Sequence, residues 1–346
     1  MKPDFTWDHF RTWGENMIIK KERNFIKRHA RQSVDIVDKK FNVKSGRLEF
    51  TDLEIAFSLD TGIIVDGIYS HTGMITDLDQ REFPKIGDMK KIKRTILFDM
   101  PLTKTELEDA SVFYETRRNF HLDGCCINYE HQEIVSCDGH GLMMQKKKFF
   151  LSNVNGDNDL LIDGRTFVKF MSAFNLNGIT KIDVSETLMK VYFDDPNDRN
   201  VVAHARIVDQ KFPNYRAVVP ETNGLKSIVL TDEFKKIIGK LKPSDSDKII
   251  LTENDSKLRI VSKFKDADNW FYVDTDVDIE KSFQMMFTLD LLKKAIQKKS
   301  FVFYKTADDP IVTDSDNGLQ AVLMPRADSE DASKYFDGMI DGKHLI

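Results

Sequence analysis

The sequence predicts an α+β fold assembled from repeated strand–helix units with antiparallel strands between them. Three observations predict it. The 346 residues exceed what one hydrophobic core usually serves, because single cores stop growing near roughly 250–300 residues. Four stretches share an apolar strand, a Thr or Asp suited to helix capping, and an amphipathic helix. Short alternating runs bounded by turn residues fill the spaces between them.

The four stretches are Thr95-Ile-Leu-Phe with a helix from Lys104, and Asn158-Asp-Leu-Leu-Ile with a helix after Asp163. Lys226-Ser-Ile-Val-Leu follows with a helix after Thr231, then Phe283-Gln-Met-Met-Phe with one after Thr288. Thr103-Lys-Thr-Glu106 fits a capping box, in which hydroxyl and carboxylate satisfy orphan backbone donors reciprocally. Asp163 and Thr231 are placed to cap with a side-chain oxygen. Phe167, Phe170, Met171 and Phe174 recur at helical spacing, as do Phe234, Ile237, Ile238 and Leu241, so both sets predict core-facing stripes. Between the helices, Ile182–Ser185, Leu188–Phe193, Val201–Val208 and Leu258–Phe264 alternate as strands do. Polar and turn residues near Lys93–Arg94 and Pro220–Gly224 mark domain boundaries.

Charge is distributed unevenly around a net of -5. Asn16 to Gln32 carries six basic residues against Glu22 alone, whereas Ala327 to Ile346 carries five acidic residues against Lys334 and Lys343. Cations recur on the helices opposite the apolar stripes: Arg165 with Lys169, Lys236 with Lys240, and Lys293 and Lys294 with Lys298. Arg117 and Arg118 close the first repeat helix, and the N-terminal run supplies Lys20, Lys21, Arg23 and Lys27. Such faces suit the phosphate backbone of nucleic acid. Three cysteines cannot form a disulfide framework. Cys137-x-x-His140 has zinc-like spacing, but Cys125 and Cys126 adjoin on a strand and point to opposite faces, so no complete metal site is expected. No nucleophile elbow, P-loop or dinucleotide fingerprint is present, so the chain reads as no enzyme and as needing no cofactor. With no long apolar run and no apolar leader after Met1-Lys2-Pro3, a cytoplasmic location without membrane contact is expected.

Four segments, in order, carry a resemblance. Cys137-Asp-Gly-His-Gly-Leu142 resembles the Thr-Asp-Gly-His-Arg-Leu motif of the bacterial DNA polymerase III β sliding clamps. Val208-Asp-Gln-Lys-Phe-Pro-Asn-Tyr-Arg-Ala-Val-Val-Pro220 is similar to the segment that ends their second domain. Ala321-Val-Leu-Met-Pro325 resembles their C-terminal motif, and Thr51-Asp-Leu-Glu-Ile55 one in their first domain. The resemblance implies a DNA-clamp fold of three similar domains, with helices on the inner face of a ring and antiparallel sheets outside. Here it divides the chain into a shortened first domain over 1–94, domains over 95–222 and 223–326, and an extension over 327–346.

What the resemblance implies for function agrees with the charge pattern. A head-to-tail homodimer would encircle duplex DNA without reading sequence, be opened by a clamp loader, and tether a replicative polymerase. A hydrophobic cleft between the second and third domains would take peptides from polymerase, loader and other proteins with clamp-binding motifs. By motif, the cleft residues are Leu122, Cys137, Gly139, His140, Gly141, Leu142, Pro220, Val322, Leu323, Met324, Pro325 and Arg326. Gly141 stands where the family has Arg, and Arg326 where Met is usual. The shortened first domain admits an alternative, a clamp-like protein that sequesters replication factors through the same cleft without closing a ring. The tail, with Tyr335-Phe336 and Leu345-Ile346, is expected to fold back over the cleft or to remain disordered.

Overall fold

The computed structural model describes residues 20–29, 39–61, 66–71, 76, 78–84, 89, 91–113, 124–152 and 159–207. It also describes 211–221, 223–241, 248–263, 270–280, 283–297, 299–306, 309–314, 318–326 and 339–341. The chain forms two compact units, one drawn from within 1–108 and 147–211, the other from within 109–146 and 212–346.

In chain order, helix α1 (Lys20–His29) precedes strands β1 (Lys40–Lys44), β2 (Arg47–Thr51), β3 (Ile55–Asp60), β4 (Gly67–Ser70) and β5 (Arg94–Thr103). Helix α2 (Lys104–Ala110) leads to β6 (Cys125–Asn128), β7 (Glu133–Cys137), β8 (Gly141–Lys146), β9 (Phe149–Ser152) and β10 (Leu160–Ile162). After α3 (Gly164–Phe174) come β11 (Gly178–Val184), β12 (Leu188–Asp194), β13 (Val201–Arg206) and β14 (Lys226–Val229). Helix α4 (Asp232–Lys240) is followed by β15 (Lys248–Asn254), β16 (Lys257–Lys263), β17 (Trp270–Asp278) and β18 (Gln284–Thr288). Helix α5 (Leu289–Ile296), β19 (Phe301–Tyr304), β20 (Ile311–Asp314), β21 (Leu319–Leu323) and β22 (Ile340–Asp341) complete the chain.

All four expected strand–helix pairs are present, as β5–α2, β10–α3, β14–α4 and β18–α5. Their starts follow from capping chemistry. The Thr103 N–H donates to Glu106 Oε2 at 2.8 Å, and Thr103 Oγ1 accepts from the Glu106 N–H at 3.2 Å, which is the reciprocal box the sequence predicts. Asp163 accepts from the Thr166 N–H at 2.9 Å, and Thr231 from the Phe234 N–H at 3.1 Å. Thr288 departs from the expectation. It is the last residue of β18, paired with Lys248, and its hydroxyl makes no cap bond to α5.

In the first unit, one nine-stranded sheet runs β4-β1-β2-β3-β13-β12-β11-β5-β9 among the described residues, with neighbouring strands antiparallel throughout. Its core is aromatic. Phe170 of α3 stacks on Phe57 of β3 with ring centroids 4.0 Å apart, and Phe25 of α1 meets Phe50, Phe57, Phe170 and Phe174. Both helices are thereby held against β2 and β3, and losing the Phe170 ring would cost about 3–5 kcal/mol. The Thr51-Asp-Leu-Glu segment makes the turn into β3. Asp52 Oδ1 accepts from the N–H groups of Glu54 and Ile55, and Thr51 Oγ1 accepts from that of Leu53, which holds Leu53 at φ +76°. Between Gly62 and Met89 the described residues form β4 and a single 3-10 turn, Gln80–Glu82.

In the second unit, β6-β7-β8-β21-β20-β19-β14 form one ladder and β18-β15-β16-β17-β22 another. Pairing is antiparallel except that β22 joins β17 in parallel. The predicted stripe Phe234, Ile237, Ile238 and Leu241 is buried here, with Leu289, Leu292 and Ile296 from α5. Cys125 and Cys126 are both fully buried, because β6 is covered on both faces. Among the described residues no helix is long and apolar enough to cross a membrane. Tyr335, Phe336, Leu345 and Ile346, for which the sequence leaves open folding over the cleft or disorder, lie outside the described residues.

His29 closes α1 inside the aromatic core, stacked on Phe25, with Nε2 3.3 Å from both the Ile55 carbonyl and Asp52 Oδ2. Burial lowers its pKa from the usual 6.5, and the opposing pull of Asp52, the Ile55 carbonyl and Asp163 does not cancel this. The unfolded chain therefore binds the proton more readily. The stability this group confers is complete above pH 6.5 and is lost as pH falls from there through the lowered folded value. The melting temperature should drop as pH falls below about 6.5, and His29→Phe should flatten that dependence.

Candidate peptide groove and cationic helix faces

The Cys137–Leu142 motif makes the β7–β8 turn. Asp138 Oδ1 accepts from the N–H groups of His140 at 3.0 Å and Gly141 at 2.8 Å, so the aspartate acts as a local turn template. Gly139 takes φ +86°, a left-handed value that glycine adopts without steric cost, and its N–H reaches Cys137 Sγ at 3.3 Å. The His140 carbonyl accepts from the Met324 N–H at 3.2 Å. This bond extends the β8–β21 ladder, in which Leu142 faces Val322 and Gly141 faces Leu323. Two motifs far apart in the chain thus become neighbouring strands.

The third motif arrives at the same face. Pro220 and Met324 line one groove of about 590 Å³ with Ala217, Val218, Val219, Leu225 and Pro310, and with the polar groups of Glu221, Asn223, Lys305 and Asp309. Val218 is 52% and Met324 44% exposed, so the floor offers apolar surface to water. Leu142, Val322 and Leu323 are almost wholly buried, Gly139 and His140 are exposed on the turn, and none of the five lines this groove. Cys137, Pro325 and Arg326 are half-buried, and the Arg326 N–H donates to the Met286 carbonyl at 2.8 Å. Leu122 lies outside the described residues.

Two features that sequence reading missed shape this region. Tyr215–Val218 forms a 3-10 turn feeding the groove wall, anchored by the buried Glu133 of β7. The Tyr215 hydroxyl donates to Glu133 Oε2 at 3.1 Å, and the Arg216 guanidinium pairs with the same oxygen. Burial, with the Glu133 charge, pushes the Tyr215 hydroxyl well above its usual pKa, so it stays a donor. The Tyr-Arg dipeptide was visible in the motif, whereas nothing near Glu133 in the sequence announces its partner. The second feature is Phe113. A Cβ placed on Gly141 would lie 2.3 Å from the Phe113 ring, so the glycine leaves the room that the buried ring fills. The family's Arg has no space here while Phe113 holds this position.

The cations fall on four helices. On α1, Lys21 and Lys27 are exposed and Arg23 is half-buried, while the Lys20 side chain lies outside the described residues. On α3, Lys169 is exposed and Arg165 half-buried; on α4, Lys236 and Lys240 are both exposed. Lys293 and Lys294 of α5 are more engaged. Lys293 Nζ donates to the Leu241 carbonyl at the end of α4, and Lys294 Nζ stands 6.0 Å from the Phe113 ring centroid. Arg117, Arg118 and Lys298 lie outside the described residues. Among the described residues no group of three His, Cys, Asp or Glu side chains gathers as a metal site. Cys125 Sγ instead lies 3.0 Å from Ser111 Oγ.

Two substitutions test this construction. Gly141→Arg should destabilise the second unit by about 1–3 kcal/mol through overpacking against Phe113, read as an earlier denaturant midpoint. Glu133→Ala should cost roughly 1–3 kcal/mol because it strands the Tyr215 hydroxyl and the Arg216 guanidinium, and denaturant unfolding measures the loss.

No protein-family model and no curated protein sequence matches the chain. Solved structures do. A DnaN sliding clamp (DNA polymerase III subunit beta) from Bartonella birtlesii bound to griselimycin superposes with a TM-score of 0.70 at 17% identity, covering 88% of this chain and 96% of that one. The Helicobacter pylori beta clamp bound to a DNA ligase peptide gives 0.68 at 15% identity, with the same two coverages of 88% and 96%. Caulobacter crescentus pol III beta gives 0.67 at 16%, again over 88% and 96%. Over 88% of its length, therefore, this chain carries the fold of the bacterial DNA polymerase III β sliding clamps, in a sequence far diverged from theirs.

Proposed function

We propose that the protein is a sliding clamp, a non-catalytic processivity factor that encircles duplex DNA and holds a replicative polymerase through the groove at Pro220 and Met324. The observation that carries this reading is the meeting of those two residues. They come from separate clamp-like motifs and line one groove of mixed apolar and polar lining in a chain with the clamp fold. In the Helicobacter pylori structure a clamp binds a DNA ligase peptide, which supports a peptide as the occupant here.

The chemistry of each part suits its task. Val218, Val219, Pro220, Leu225 and Met324 give an apolar floor for the anchor side chains of an extended peptide, and methionine adapts to different anchors. Lys305 and Asp309 stand at the margin, where they orient a polar flank. Lys21, Lys27, Lys169, Lys236 and Lys240 present ammonium groups that contact phosphates without reading bases. Attraction of this kind is long-ranged and weakens with salt, so retention on DNA comes from encirclement. The reading places the protein in the cytoplasm with the clamp loader and polymerase as partners, and as a head-to-tail homodimer.

Two measurements test it. A fluorescent peptide with the apolar clamp-binding motif should bind in the micromolar range, and Val218→Asp or Met324→Asp should weaken it by about tenfold or more, ~1.4 kcal/mol. No binding by the unaltered protein, or none lost in both variants, would refute the groove assignment. Lys169→Glu, Lys236→Glu and Lys240→Glu together should abolish retention on nicked circular DNA in the presence of a clamp loader while peptide binding persists. Retention unaffected by the triple change would show that these helices do not face DNA. Peptide binding with no retention by the unaltered protein would favour the non-encircling alternative.

A further inference from the structure

The outer face of the second unit's β18-β15-β16-β17 ladder is apolar where polar residues would be expected. Successive residues of a strand point to opposite faces. Ile249, Leu251, Ile260, Met285 and Phe287 turn inward to the core shared with α4 and α5. Their neighbours Ile250, Val261 and Met286 turn the other way, yet they are 0%, 0% and 2% exposed and form a cluster of their own. Register sets them in one row, with Met286 opposite Ile250, Ile250 opposite Val261, and Val261 opposite Tyr272. Half-buried Met339 packs on this row, with Trp270 and Tyr272 beside it. Ile340 and Asp341 then pair with Phe271 and Tyr272. The row thus has an occupant, an extended segment with one apolar anchor, and a thioether suits a seat flanked by aromatic rings.

Charge indicates what else would fit. Lys248 and Arg259 share this face, each two residues along its strand from the row. The Arg259 guanidinium, held also by Asp274, lies 4.0 Å from the Tyr272 ring centroid. The extension that supplies Met339 carries five acidic residues against Lys334 and Lys343, and Asp341 stands opposite Tyr272. We infer that this face is a peptide-docking site separate from the groove, fitted to an extended acidic segment of a partner protein with one apolar anchor. The chain's own C-terminal segment fills it until such a partner displaces it. A tethered segment acts at an effective concentration of about a millimolar, so only a tighter ligand enters while Met339 stays seated. The assignment does not depend on the clamp reading.

The probe is a fluorescent peptide of residues 327–346, added to full-length chains. Met339→Asp in the chain empties the seat, and that chain should bind the probe at least about tenfold more tightly than the unaltered chain does. A probe that itself carries Met339→Asp should not bind. Trp270→Ala or Lys248→Glu, added to the Met339→Asp chain, should each weaken binding by about threefold or more. Lys248→Glu decides if Trp270→Ala lowers the denaturant midpoint. Equal binding to the unaltered and Met339→Asp chains, or no binding to either, would overturn the proposal. So would binding indifferent to both added substitutions. Light scattering tests the other occupant. A Met339→Asp chain heavier than the unaltered one, and not restored by the probe, would make the face a contact between copies and overturn the proposal too. The clamp-motif peptide should bind all these chains alike, and its failure to bind any of them would count against the groove reading alone.

Discussion

Pairing of β8 with β21 places the groove. Each strand follows its own turn chemistry, but the ladder between them sets Gly141 opposite Leu323 and Leu142 opposite Val322. Register in a sheet is unforgiving, because a slip of one residue exchanges the buried and exposed faces of a whole strand. Here it puts Leu142, Val322 and Leu323 into the core and delivers Met324, immediately beyond the ladder, to the surface. The same register seats Gly141 against Phe113. The apolar floor of the groove is thus a consequence of where β21 ends.

Polar groups then hold what the ladder has placed. Glu133, almost wholly buried on the strand next to β8, binds both Tyr215 and Arg216, and the turn they begin runs directly into Val218 and Pro220. A buried carboxylate is costly unless it is paired and hydrogen-bonded, and this one is both. Its value is geometric, since it fixes one groove wall to the sheet that supplies the other. In the first unit His29 and Asp52 act comparably, tying the end of α1 to the turn before β3. There the surrounding rings give the stability, and the imidazole adds sensitivity to pH.

Helix caps, core stripes and the strand–helix repeat were legible in the residues because each is a local matter. A capping box needs three residues, and an amphipathic stripe needs one turn to reveal its period. Thr103, Asp163 and Thr231 accordingly cap as their positions predict, and Phe167 through Phe174 face inward. Thr288 stands at the same place as Thr103, the last residue of the strand before its helix, yet makes no cap bond. The cation spacing on α3 and α4 was equally readable, whereas the engagement of Lys293 with the Leu241 carbonyl depends on two helices meeting.

The sequence by itself determined the fold class, the helix starts, the inward faces and the motifs that resemble those of clamps, since these depend on neighbours within a few residues. The motif resemblance already put Pro220 and Met324 in one cleft; tertiary structure alone decided that Glu133 anchors its wall and that Phe113 fills the space beside Gly141. It alone also decided that Ile340 and Asp341 lie along β17. These are contacts between segments far apart in the chain, set by sheet register and close packing, and no single stretch of residues encodes both partners.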